Sequence, residues 1–168
     1  MGLLDKTRRK IADDAAAQQP RPEDAWEISD RTVFLIAMSE RLCAKCGEGE
    51  RLSALSPEER TTYAVDAFQR EVSNGGFEQY LCNSSGALAG ELLDALRAVG
   101  AEIYRPALAA LPAAWPADEE ERRKLLDEVL TERVSERLDQ CDQRFYECSD
   151  DLEQLLYRCI VQNRRSFE

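Results

Sequence analysis

The sequence predicts an all-α protein: a single-domain bundle of about six to eight helices that closes in a long amphipathic helical segment. Three observations carry this expectation. Apolar residues recur three and four apart through most of the 168-residue chain, which is the period of one helix face. Between these runs stand recognisable starts and stops: Ser56-Pro57-Glu58-Glu59, Asn74-Gly75-Gly76, Asn83-Ser84-Ser85-Gly86 and Gly100. No stretch alternates polar and apolar residues for long enough to make a strand. The length suits one core, and a hydrophobic share of 43% fits a globular protein.

Residues 1–25 read as a peripheral segment and linker, a marginal helix with the basic cluster Lys6-Arg8-Arg9-Lys10 followed by Gln18-Gln19-Pro20-Arg21-Pro22. The helical domain then occupies 26–168. From Trp26 to about Cys46, Val33, Phe34, Ile36, Ala37 and Leu42 recur at helical spacing, and Gly47-Glu48-Gly49 stops the run. Ser56 is an N-cap, Pro57 suits the first turn, and Glu58 and Glu59 complement the helix dipole. The helix they open shows Tyr63, Ala64, Ala67, Phe68 and Val72 on one face and ends at Asn74-Gly75-Gly76. A short helix follows with Phe77, Tyr80 and Leu81 on one side, halted by Asn83.

Leu88, Leu92, Leu96 and Val99 mark the next helix, with Gly100 as its C-cap, and another short one covers about 103–111. Leu111-Pro112 to Trp115-Pro116 interrupts the pattern. Beyond it Leu126, Leu130, Val134, Leu138, Cys141, Phe145, Cys148, Leu152, Leu155 and Cys159 form a long apolar stripe. Ser149-Asp150-Asp151 breaks that stripe, with Asp150 and Glu153 as a capping box for the last helix.

Six cysteines and no histidine narrow the chemistry. Without histidine there is no Ser-His or Cys-His arrangement, and zinc loses its commonest ligand. Cys43-Ala44-Lys45-Cys46 has the spacing of a zinc half-site or a redox pair, yet no second pair follows, and it closes a helix in an all-α chain. The residue pattern assigns no metal and no cofactor. No apolar run approaches the ~18 residues of a membrane span, and the start lacks a secretory signal, so a cytoplasmic location is expected.

Asn74-Gly75-Gly76 and Asn83-Ser84-Ser85-Gly86 admit two readings. One is a backbone site for an anion, though the spacing is not that of a phosphate loop and no lysine follows. The other is punctuation, because Asn and Gly adopt positive φ and end helices, with Glu71, Gln79 and Asn83 tying down exposed backbone groups. The stretch NGGFEQYLCNSSG, through Asn74, Gly75, Gly76, Phe77, Gln79, Tyr80, Asn83, Ser84, Ser85 and Gly86, resembles the signature of a bacterial DNA-mimic protein family. Leu138, Asp139, Phe145, Tyr146, Leu156 and Ile160 resemble that family's C-terminal helices, so the similarity spans roughly 55–163. The resemblance implies an all-helical domain without known catalysis, in which Asn74, Gly75, Gly76, Phe77, Gln79, Asn83, Ser84 and Gly86 form a structural motif. It also implies a role as an imitator of duplex DNA that occupies a transcription factor.

The charge distribution is the residues' own contribution to that idea. The chain carries a net −11, of which −8 lies between Asp118 and Glu153. Such a surface repels nucleic acid and attracts basic proteins. Glu128, Glu132 and Glu136 form a ladder of like charges about 6 Å apart along a helix, comparable with successive phosphates on a strand. Like charges at this spacing weaken a helix, so the ladder does not serve local stability. Arg133 and Arg137 interrupt it, and Glu119–Arg123 and Glu120–Lys124 are ordinary supporting pairs.

The expected partner surface comprises Asp118, Glu119, Glu120, Glu121, Asp127, Glu128, Glu132, Glu136, Asp139, Asp142, Glu147, Asp150 and Asp151. The expected partner is a basic, DNA-binding protein, with no direct binding of nucleic acid or membrane. Two other classes stay open here. One is a non-mimic binder such as a toxin-neutralising immunity protein. The other is a carboxylate enzyme around Glu71 and its Asn/Gln neighbours, for which no nucleophile–base pair can be named; a binding protein is the expectation.

Overall fold

The computed structural model describes residues 22–108, 118, 120, 121, 123, 124, 132–148 and 151–168. Residues 1–21, the Leu111–Pro116 interruption, and Leu126 and Leu130 of the expected stripe lie outside them. The described residues form helices joined by turns, with five α-helices where six to eight were expected, and no strand. The helices are α1 (Arg31–Cys46), α2 (Pro57–Cys82), α3 (Leu92–Ala98), α4 (Glu132–Glu147) and α5 (Leu152–Gln162). Short 3-10 turns occupy Pro22–Glu27, Leu52–Ala54, Ser84–Leu88, Glu102–Leu108 and Arg164–Ser166.

Two compact units divide inside α1, one up to Arg41 and one from Leu42 onward. In the first, Asp30 starts α1: its Oδ1 accepts from the Val33 N–H at 2.9 Å. The Trp26 and Phe34 rings lie 5.4 Å apart. Phe34, Ala37 and Met38 are buried, whereas Val33 and Ile36, counted with them in the apolar run, are exposed.

In the second unit α2 is the central element, packing against the Ser84–Leu88 turn, α3, α4 and α5. Its start is a full capping box: Ser56 Oγ accepts from Glu59 N at 3.2 Å, and the Glu59 carboxylate accepts from Ser56 N at 2.8 Å. Glu59 is buried and also takes both hydrogen bonds from Lys45 Nζ, at 2.6 and 2.8 Å. A buried carboxylate is tolerable only with such partners. Tyr63, Ala64, Ala67, Phe68 and Val72 are buried as their spacing predicts. Phe68 is the aromatic hub, meeting Phe77, Tyr80 and Phe145 edge-on with centroids 5.4–5.5 Å apart.

α3 closes as expected at Gly100, whose φ is +82°. Ala101 N–H reaches Leu96 O at 2.8 Å and Gly100 N–H reaches Arg97 O at 3.0 Å, the paired bonds of a Schellman ending. The expected helix near 103–111 is the 3-10 turn Glu102–Leu108, against which α4 packs. Leu138, Cys141 and Phe145 bury the inner face of α4. The stripe then changes phase: α5 buries Leu152, Leu156 and Ile160, while Leu155 and Cys159 are only partly covered. Asp151, rather than Asp150, caps α5, accepting from Gln154 N at 2.9 Å. Asp150 lies outside the described residues.

Candidate interaction surface

The surface begins with the break in α2. Gly75 has φ −159° and ψ 24°, and Gly76 has φ 76° and ψ −176°, so helical geometry stops and restarts within one element. That Gly76 conformation belongs to the region only glycine occupies readily. The double-glycine stretch is therefore punctuation, and its interest lies in what holds it.

Two devices do so. On one side, Glu71 Oε2 accepts from Gln79 Nε2 and from Asn83 Nδ2, both at 2.7 Å. Residues before and after the break are thus tied to each other through side chains, where the sequence suggested ties to backbone. On the other side, α4 lends two residues one turn apart. Asp142 Oδ1 accepts from Phe77 N–H at 2.8 Å, capping the restarted helix, and Tyr146 Oη donates to Val72 O at 3.2 Å. In an unbroken helix the Val72 carbonyl would be served by the Gly76 N–H.

The second turn is built equally closely. Ser85 Oγ donates to Tyr80 O at 3.2 Å, and a Cβ on Gly86 would strike the Leu81 carbonyl. Ser84 Oγ reaches Glu48 O at 3.4 Å.

These contacts fix α4, and α4 carries the acids. Successive helical residues turn by about 100°, which places Glu136, Asp139 and Glu147 within about 80° of one another, opposite Leu138, Cys141 and Phe145. All three are exposed, and none makes an ion pair with a described cation. They span about 16 Å along the axis at 1.5 Å per residue. Glu132 opens α4, but its side chain, like those of Arg133 and Arg137, lies outside the described residues. Arg144, the described base on α4, points Nη1 at Pro106 O, 3.2 Å away.

The other expected surface residues divide clearly. Asp118 spends Oδ1 on Glu121 N–H at 2.9 Å, and Glu120 pairs with Lys124 at 2.8 Å. Glu121 is exposed. Asp151 is an N-cap. Glu119, Asp127, Glu128 and Asp150 lie outside the described residues. Asp142 is half-buried and engaged by the break in α2, so it serves the scaffold first.

Burial pushes the Asp142 carboxyl above its usual range, with Asp139 adding to the rise and the Phe77 N–H opposing it. A raised carboxylate contributes stability that is fully present below its unfolded value, about 3.9, and is lost as pH rises through the folded value. Asp142→Asn keeps an acceptor oxygen and removes the charge. Its urea midpoint at about pH 7 is expected to equal or exceed that of the parent, with the gap closing toward about pH 4. Asp142→Ala strands the Phe77 N–H and is expected to cost about 1–2 kcal/mol at either pH. Equal losses for the two variants would remove the capping role.

Among the described residues no group of three or more Cys, Asp or Glu side chains is arranged to hold a metal, and no helix is long and apolar enough to cross a membrane. Fold and surface together define an all-helical protein that presents an acidic helix braced against a broken one. The chain belongs to the DMP19-like protein family, which it matches over residues 53–163, from the turn before α2 to the C-cap of α5. It matches no curated protein and no solved structure.

Proposed function

We propose that the protein acts by binding a basic protein, as a DNA mimic that occupies the nucleic-acid-binding surface of a transcription factor or similar protein, and that it is not an enzyme. The observation that carries this reading is the outer face of α4, where Glu136, Asp139 and Glu147 stand exposed without a described counter-charge. Membership of the DMP19-like family supports it from a second direction. The mechanism is competition: the acidic face enters a basic groove, long-range attraction speeds encounter, and salt weakens the complex. The break in α2 then has a supporting part, since Asp142 and Tyr146 anchor the same helix that displays the acids.

The test is capture from a lysate of the source cell on the tagged protein, with a salt gradient for elution and an unrelated acidic protein run in parallel. A DNA-binding protein released by salt and displaced by duplex DNA supports mimicry. A single tight partner that duplex DNA fails to displace favours a neutralising, immunity-type binder. Capture of the same proteins by the unrelated acidic control reduces the acidity to solubility.

A further inference from the structure

Cys43 and Cys46 sit three residues apart in the last turn of α1, so both thiols face the same side of the helix. Both are free and buried, Cys43 at 8% exposure and Cys46 at 0%. The Cys46 thiol already points back along the helix at Cys43 O, 3.7 Å away. Opposite them α2 presents Tyr63 and Arg70, two turns apart on one face, Tyr63 beside the Cys46 thiol and Arg70 beside the Cys43 thiol. Arg70 is exposed and pairs with Asp66 Oδ2 at 3.2 Å, and a thiolate at Cys43 gains a second favourable charge contact with the same guanidinium.

Backbone geometry favours the same pair. Residues three apart on a helix have Cα atoms about 5 Å apart, inside the 4.4–6.8 Å range of disulfides. Their Cβ atoms, about 5–6 Å apart, must approach to about 4 Å, so the last turn has to tighten. The helix ends immediately downstream of Cys46. There Gly47, Glu48 and Gly49 all have positive φ, at +63°, +55° and +94°. These three residues already reverse the chain, and Glu48 N–H closes onto Cys43 O at 2.9 Å.

We propose that Cys43 and Cys46 are a reversible dithiol–disulfide site, oxidised by a small-molecule disulfide. The Cys43 thiolate, nearer the surface and beside Arg70, attacks one sulfur of the oxidant and expels one thiolate, which takes up the proton Cys43 lost. The Cys46 thiolate then attacks the Cys43 sulfur of the mixed disulfide and expels the second thiolate. One intrachain S–S bond forms, the oxidant's S–S bond is reduced to two thiols, and the protein loses two hydrogens. Burial raises the Cys43 thiol, Arg70 opposes the rise, and Glu48 and Asp66 add to it, so the first step quickens as pH increases.

The experiment treats the reduced full-length protein with oxidised glutathione, blocks remaining thiols with iodoacetamide, and maps peptides by mass spectrometry. The expected product is a linked Cys43–Cys46 peptide, two hydrogens lighter than the reduced form and restored by dithiothreitol. Cys46→Ser is expected to trap glutathione on Cys43, Cys43→Ser to leave Cys46 unmodified, and Arg70→Gln to slow the first step about fivefold. Full alkylation of both cysteines after oxidation, with exposed Cys82 carrying the glutathione instead, overturns the proposal. The wild-type map decides even if a variant does not fold.

Discussion

Replacement of Gly76 by alanine is expected to lower stability by about 3 kcal/mol or more, a large loss for a single methyl group. Two costs combine. The backbone at φ 76° and ψ −176° is disfavoured by roughly 1–3 kcal/mol for a residue with a Cβ. A Cβ there would also stand 2.5 Å from Asp142 Oδ2, so the carboxylate must withdraw and release the Phe77 N–H it caps, a further ~1 kcal/mol. For a protein of this size the melting temperature should fall by about 10 °C.

Gly75→Ala is the internal control. Its φ of −159° lies outside the left-handed region that favours glycine, and its Cβ would meet the Gln79 side chain, which can turn away. The expected cost is about 1 kcal/mol, the loss of the Gln79–Glu71 hydrogen bond. In an Asp142→Ala background the steric part of the Gly76→Ala penalty disappears, so the two substitutions are expected to be less than additive in thermal melts. Equal penalties at positions 75 and 76 would show that the break is not held by Asp142.

The double-glycine signal shows which parts of the fold are legible in a sequence. Local signals read well because a few adjacent residues decide them: the Ser56 start, the Gly100 stop and the turn at Asn74-Gly75-Gly76 all stand where expected. The inner face of α2 follows from its period alone. Partners across the fold do not. Asp142 looked like one more acid on an acidic helix, yet its target is the N–H of a residue 65 positions earlier; Tyr146 serves a carbonyl 74 positions earlier. The useful clue was their spacing of four, which puts both on one face of α4, but spacing cannot say what that face meets.

Val33 and Ile36 failed for a related reason. In α1 the buried line is Phe34, Met38 and Leu42, and hydrophobicity without knowledge of the neighbours cannot rank two adjacent stripes. The stripe lost its phase between α4 and α5, because a new helix starts with its own rotation. For the candidate surface, the concentration of charge was visible in the sequence. The division of those acids among capping, pairing and display was not, since it depends on which N–H groups and cations lie nearby.

That division determines the second large effect. Glu136→Gln, Asp139→Asn and Glu147→Gln together are expected to weaken the captured partner by about tenfold or more at low salt, and to flatten the dependence of affinity on salt. The loss should fall mainly on the association rate, because displayed charges act through steering before contact. Stability should hold or rise slightly, since neutralising Glu136 and Asp139, three apart on one face, removes a like-charge contact of a few tenths of a kcal/mol. The comparison variant is Asp94→Asn with Glu102→Gln, two exposed acids already paired with Arg97 at 3.0 and 3.1 Å. It removes nearly as much charge from another part of the chain, so a net-charge effect would weaken binding in both variants. Loss confined to the α4 triple, with unchanged melting, assigns the encounter to that helix. Undiminished binding by the triple would move the functional surface away from the face that Asp142 and Tyr146 hold in place.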